Sequence, residues 1–138
     1  MKIKQVIVMR TDLNMRRGKQ IAQGAHASLG VILAMMNSRY EQPFGALQPT
    51  EVKELYLFNN TPIEKWINGI FTKIGLRIGS EKELLELYEQ AKNAKLPTIL
   101  ITDNGITEFN GVPTKTCIAI GPGYEKDIDK ITSHLKLL

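Results

Sequence analysis

Short, unbroken runs of β-prone apolar residues, spaced by segments of helical periodicity, constrain this chain most strongly. The first run, Lys4 to Arg10 (KQVIVMR), lacks the polar alternation of a half-exposed strand, as expected of a strand covered on both faces. Thr72–Ile78 (TKIGLRI), Thr98–Thr102 (TILIT) and Lys115–Ile120 (KTCIAI) are its counterparts. A long segment from Gly18 to about Met36 is rich in small residues (Ala22, Gly24, Ala25, Ala27, Ser28, Gly30), which let a helix approach a sheet closely. Ser80 and Glu83 form a capping box that opens a helix over Glu81–Lys95, with Leu84, Leu85, Leu87, Tyr88 and Ala91 as its apolar face. A last amphipathic helix is expected over Glu125–Leu137, after the chain breaks at Gly121-Pro122-Gly123. Residues Asn37–Pro49 read as a loop, and Glu51–Phe58 and Pro62–Phe71 as short helices. Strands alternating with helices imply an α/β fold, one sheet sandwiched between helical layers. The chain's 138 residues suit a single domain, since domains usually span about 100–200 residues.

Several classes are excluded early. Cys117 is the only cysteine, so no intrachain disulfide forms and no cysteine-based metal site is supported. The uncharged stretch Gln20–Ser38 carries Gln20, Gln23, His26 and Asn37, too polar for a bilayer span of ~20 apolar residues. The apolar run near the N-terminus falls short of the ~7–15 residues of a secretory signal, so the cytoplasm is the expected compartment. Charge is uneven. Residues 1–40 hold Lys2, Lys4, Arg10, Arg16, Arg17, Lys19 and Arg39 against the single acid Asp12, whereas the rest of the chain is slightly acidic. Such a basic segment suggests a polyanionic partner.

Candidate chemistry concentrates in few places. Lys19, Gln23 and His26 lie at i, i+4 and i+7 and form one polar stripe at the start of the long helix. A helix N-terminus offers unpaired N–H groups, so Gly18-Lys19 suits a phosphate, a carboxylate or a developing oxyanion. Asp103 follows a buried strand and precedes Asn104-Gly105. It is either an ordinary Asx turn or a carboxylate at a strand's C-terminal end, where open α/β sheets bind ligands. Thr107, Thr114 and Thr116 are β-formers or hydroxyl donors. Cys117 reads as a small buried hydrophobe and His134 as structural.

Taken in order, Gln5–Met15 (QVIVMRTDLNM), Gly18-Lys19, Ala22-Gln23, His26-Ala27, Asp103-Asn104-Gly105-Ile106-Thr107, Thr116 through Gly121-Pro122, and the closing segment Asp127–Leu137 resemble the type 2 peptidyl-tRNA hydrolase family. The resemblance implies a single domain over 1–138 with a small mixed four-stranded sheet between helices, a homodimer, and no metal or cofactor. It implies hydrolysis of the ester between a peptide and the 3′ ribose of tRNA. Carried over to this chain, the functional positions are Lys19, Gln23, His26, Asp103, Thr107 and Thr116. In that scheme Asp103 orients or deprotonates water while Lys19 holds Asp103 or stabilises the oxyanion. Thr116 and Thr107 add hydroxyl hydrogen bonds, Gln23 and His26 keep Lys19 in place, and either Asp103 or His26 is the base. Arg10, Arg16 and Arg17 are the expected tRNA contacts, with Lys73, Arg77 and Lys115 in reserve. Three departures stand out: Asn104 replaces the family's usual alanine, the Thr107–Thr116 segment is one residue longer, and residues 37–65 look like an insertion. The first two leave a non-catalytic RNA- or protein-binding member of the fold as the alternative. A small-molecule or phosphate-binding domain is a third reading, resting only on Gly18-Lys19 and the Gly-Pro-Gly turn.

Overall fold

A computed structural model describes the whole chain, Met1 to Leu138. Strand β1 (Ile3–Arg10) leads through a loop into helix α1 (Arg17–Ala34), followed by a hairpin of β2 (Asn37–Glu41) and β3 (Thr50–Glu54). Then come α2 (Pro62–Asn68), β4 (Lys73–Ile78), α3 (Glu81–Asn93), β5 (Thr98–Asp103), β6 (Thr114–Tyr124) and α4 (Glu125–Thr132). The main sheet has the order β4-β1-β6-β5. β4 runs parallel to β1, and β6 antiparallel to both β1 and β5. The sheet is therefore mixed and four-stranded, with helices on both faces.

Alternation along the central strands divides the core. Val6 and Val8 of β1 join Ile118 and Ile120 of β6 against Leu84, Leu87 and Ala91 of α3 and Ile128 and Ile131 of α4. On the opposite face, Met9, Cys117 and Ala119 pack against Ala27 and Val31 of α1. A strand that serves two cores must be apolar at successive positions, which is why β1 and β6 read as unbroken hydrophobic runs. Small residues on α1 allow the close approach: a Cβ added to Gly30 would come within 3.0 Å of Ile99 Cδ1.

Three expectations are corrected. Residues Asn37–Glu41 and Thr50–Glu54 form a two-stranded hairpin, not a loop followed by a helix over Glu51–Phe58. Its strands are held by cross-strand polar pairs, Ser38 Oγ to Glu51 at 2.7 Å and Arg39 Nε to Glu54 at 2.6 Å, so charges that look helical along the chain are partners across a ladder. β6 does not stop before Gly121-Pro122-Gly123 but continues to Tyr124. The register against β1 slips between Lys4 and Val6 there, and a bulge is where an interior strand tolerates proline. Helix α4 ends at Thr132. The last residues turn back along the β4 edge, where Leu138 N–H donates to Gly75 and Leu137 bridges Leu76, leaving His134 exposed beyond the helix. No helix is long and apolar enough to cross a membrane.

Candidate active site

Because β5 is parallel to β1, the C-terminal ends of β1, β4 and β5 share one edge with the start of β6 and the N-terminus of α1. Lys19 lies in the first turn of α1 and reaches across to the end of β5. Its ammonium donates to Asp103 Oδ1 at 2.9 Å and to Thr107 Oγ1 at 2.9 Å. An ammonium has three N–H bonds, so the third remains for an incoming oxygen. The same Asp103 oxygen accepts from Gln23 Nε2 at 3.1 Å, and Gln23 Oε1 accepts from the Thr116 hydroxyl at 2.5 Å. Asp103 Oδ2 accepts the Gly105 N–H at 2.9 Å. The Phe109 ring closes the lysine's apolar side, with its centroid 5.7 Å from Nζ.

The electrostatics follow from these bonds. The Lys19 hydrogen bond, aided by Gly105 N–H and Gln23, outweighs desolvation and holds the Asp103 carboxyl below its ordinary value. Asp103 is thus a fixed anion and a weak proton acceptor. Its placement is paired with that of Lys19, whose side chain is only 14% exposed. At the neighbouring helix end, Arg16 supplies no side-chain cap and no acid occupies the first turn of α1; Glu108 approaches from the facing loop, 3.9 Å from Arg16 Nε.

The structure brings five of the six expected residues together and re-sorts them. Lys19 and Thr107 face the open side. Thr116, expected to add a hydroxyl hydrogen bond to the reacting groups, is fully buried and serves Gln23, itself 2% exposed. Neither reaches the open side of the cluster. His26 is exposed and hydrogen-bonds to none of the five, so Asp103 and Thr107, not His26, hold Lys19. Arg10 is not a surface cation: it is 7% exposed and paired with Asp12. The side chain of Arg16 is 90% exposed, and Arg17 is also exposed. Cys117 is inert, its thiol pushed up to about 11 by burial. Asn104 is exposed and its side chain accepts the Ile106 N–H at 3.1 Å, so the residue replacing alanine stabilises the turn without entering the cluster. Phe109 and the role of Gly105 escaped the sequence reading. Gly105 has φ +81°, and a Cβ would approach the Val112 carbonyl oxygen to 2.1 Å. Gly105→Ala is expected to lower Tm and kcat together, at a cost of about 1–3 kcal/mol in backbone strain. Unchanged thermal unfolding and turnover would refute that requirement.

The fold and this cluster define a small α/β protein with a lysine–carboxylate site suited to polarising a carbonyl oxygen. Comparison with known proteins gives the family. The family model described as "Peptidyl-tRNA hydrolase PTH2" matches residues 3–138. The chain is 40% identical over 135 residues to a peptidyl-tRNA hydrolase of Methanopyrus kandleri, covering 98% of this chain and 97% of that one. It is 35% identical to that of Methanocaldococcus jannaschii, covering 99% and 100%, and 39% identical to that of Sulfolobus acidocaldarius, covering 99% and 100%. The chain belongs to the peptidyl-tRNA hydrolase PTH2 family. A solved structure of a protein of unknown function from Agrobacterium tumefaciens superposes over 100% of this chain and 98% of that one, with a TM-score of 0.55 at 10% identity, a likeness of fold alone.

Proposed function

We propose that this protein is a peptidyl-tRNA hydrolase that cleaves the ester between a peptide and the 3′ ribose of tRNA, returning tRNA to translation in the cytoplasm. The observation that carries the site assignment is the Lys19 ammonium, fixed by Asp103 and Thr107 with one donor left for the substrate. In this reading that donor binds the ester carbonyl and stabilises the tetrahedral oxyanion. Asp103 orients Lys19 and the attacking water, and the water's proton passes by way of the carboxylate to the 3′ oxygen as the acyl–oxygen bond breaks. Gln23 and Thr116 keep the carboxylate in place. The test is release of blocked amino acid from N-acetyl-aminoacyl-tRNA by the purified protein, with and without EDTA. Release that survives chelation is expected; tRNA binding without release would refute the hydrolase reading.

Arg16 and Arg17, both exposed at the start of α1, are the proposed phosphate contacts, Arg16 beside the site and Arg17 turned to the rim of the groove on the opposite flank. Arg10 is excluded because it is buried and paired with Asp12. Each neutralised phosphate steepens the salt dependence of binding. Arg16→Glu with Arg17→Glu is therefore expected to weaken tRNA binding at least about tenfold at low salt and to flatten the salt slope, for any anticodon. Unchanged affinity would exclude this surface.

The flank of α1 opposite Lys19 borders an apolar groove of about 720 Å³, lined by Ile7, Met9, Ile21, Leu29, Trp66 and Phe71 among others. Ile21 is 72% and Leu29 57% exposed, which water disfavours on one contiguous face. We assign this face to a second copy of the chain. Light scattering should give twice the 15.5 kDa monomer mass, and Ile21→Glu with Leu29→Glu should give the monomer. A monomeric wild type would contradict the assignment.

A further inference from the structure

We infer that Arg10 is a positioning residue for the reaction: its guanidinium clamps the strand bulge that aims Thr116 at Gln23. This rests on the hydrolase reading above and extends it inward from the site. The bulge is visible in the register of β5 and β6. Ile101 faces Cys117, but Thr102 faces Lys115, so Thr116 is an extra residue on β6 with no β5 partner. Bulges of this kind re-aim a side chain, and here the side chain is the buried hydroxyl that donates to Gln23 Oε1. The residue before the bulge, Lys115, offers its carbonyl to Arg10 Nη1 at 2.9 Å. The rest of the guanidinium fork grips Asp12, Nε to Oδ1 at 3.0 Å and Nη2 to Oδ2 at 2.7 Å, while Nη1 also lies 3.8 Å from the Glu81 carboxylate of α3. Asp12 belongs to the loop that delivers α1 and Lys19. One side chain thus ties the bulge carrying Thr116 to the segment carrying Lys19.

Stability alone does not account for a buried arginine here. Its partner Asp12 keeps 36% of its side chain exposed, and an ion pair with one partner in water contributes little net stability. What an apolar side chain cannot do is satisfy a carbonyl at a bulge while holding a carboxylate bidentately, and a lysine lacks the planar fork for both. The chain of bonds runs from Arg10 through the Lys115 carbonyl to Thr116, Gln23, Asp103 and Lys19. Arg10 itself, 7% exposed, does not touch the substrate.

The experiment is a double-mutant cycle on the full-length protein, with kcat and KM measured on N-acetyl-aminoacyl-tRNA and Kd on deacylated tRNA. Arg10→Lys is expected to lower kcat at least tenfold, with KM and Kd within twofold of wild type. Thr116→Val is expected to lower kcat similarly, and the double variant to fall no more than twofold below Thr116→Val alone, because both changes break one chain. Multiplying effects would overturn the inference, as would a loss confined to KM and Kd, which marks a tRNA contact. Asp12→Asn alters only the half-exposed partner and serves where Arg10→Lys does not fold: it loosens the fork and should lower kcat at least threefold, again without further loss in the Thr116→Val background. Wild-type kcat in Asp12→Asn or Arg10→Lys overturns the inference. An active wild type whose Thr116→Val variant is unimpaired sinks this inference alone, whereas an inactive wild type sinks the hydrolase reading and the inference with it.

Discussion

Lys19→Met should leave a folded protein that still binds tRNA but hydrolyses N-acetyl-aminoacyl-tRNA about 100- to 1,000-fold more slowly. The size follows from what is removed. A preorganised donor to a developing oxyanion is worth ~3–4 kcal/mol of barrier, and a charged donor in a partly water-excluded site lies at the upper end. Folding should survive because the methionine keeps the apolar stem beside Phe109, and Asp103 retains its bonds from Gln23 and the Gly105 N–H. KM should change little, since the interaction strengthens as charge moves onto the carbonyl oxygen and adds little to ground-state binding. Steady-state kinetics beside a tRNA-binding isotherm separates the two. A variant with normal kcat and raised KM would make Lys19 a tRNA contact instead.

Asp103→Asn should reduce kcat by about tenfold to a hundredfold, because hydrogen bonds to charged groups contribute roughly 1.5–3 kcal/mol and the amide holds Lys19 without a charge. The pH profile gives an independent reading. Lys19, the Gly105 N–H and Gln23 all favour the ionised carboxyl, so its folded-state pKa lies below the ordinary aspartate value of about 3.9. Stability and activity that depend on the ionised form are complete above that ordinary value and fall away only as pH drops through the lower folded one. The acid limb of kcat should therefore lie below pH ~4, with no inflection near the histidine value of ~6.5. Asp103→Asn should remove the limb and His26→Ala should leave it in place. An inflection near neutrality that disappears in His26→Ala would make His26 the base.

Much of the fold was readable because each core strand carries its own signal. β1 and β6 are apolar over most of the stretch that two helical layers cover, with Gln5, Arg10 and Thr116 as the buried polar exceptions, and Thr61, Ser80 and the Pro62 step mark helix starts that the structure reproduces. The hairpin at 37–54 was not readable. Its strands are wholly or largely exposed, so no hydrophobic alternation marks them, and the pairs that hold them join residues 13 and 15 apart. The site was half readable. The spacing of Lys19 and Gln23 puts both on one helical stripe, and Asp103-Asn104-Gly105 announces a turn. The sorting of roles was hidden. Whether Thr116 faces substrate or Gln23 depends on a bulge, and the burial of Arg10 depends on the Lys115 carbonyl, which meets it from 105 residues away. Charge counting treats Arg10 and Arg16 alike; the first is buried in an ion pair and the second is almost fully exposed.

Hydrolysis in 18O-labelled water tests the central claim most directly: that water, directed by the Lys19–Asp103 pair, attacks the ester carbonyl. Wild-type protein should release N-acetyl amino acid carrying one labelled carboxylate oxygen, together with unlabelled tRNA that can be aminoacylated again, and Lys19→Met should release neither above the buffer rate. Label found in the tRNA 3′ end, or equal release by Lys19→Met, would contradict it.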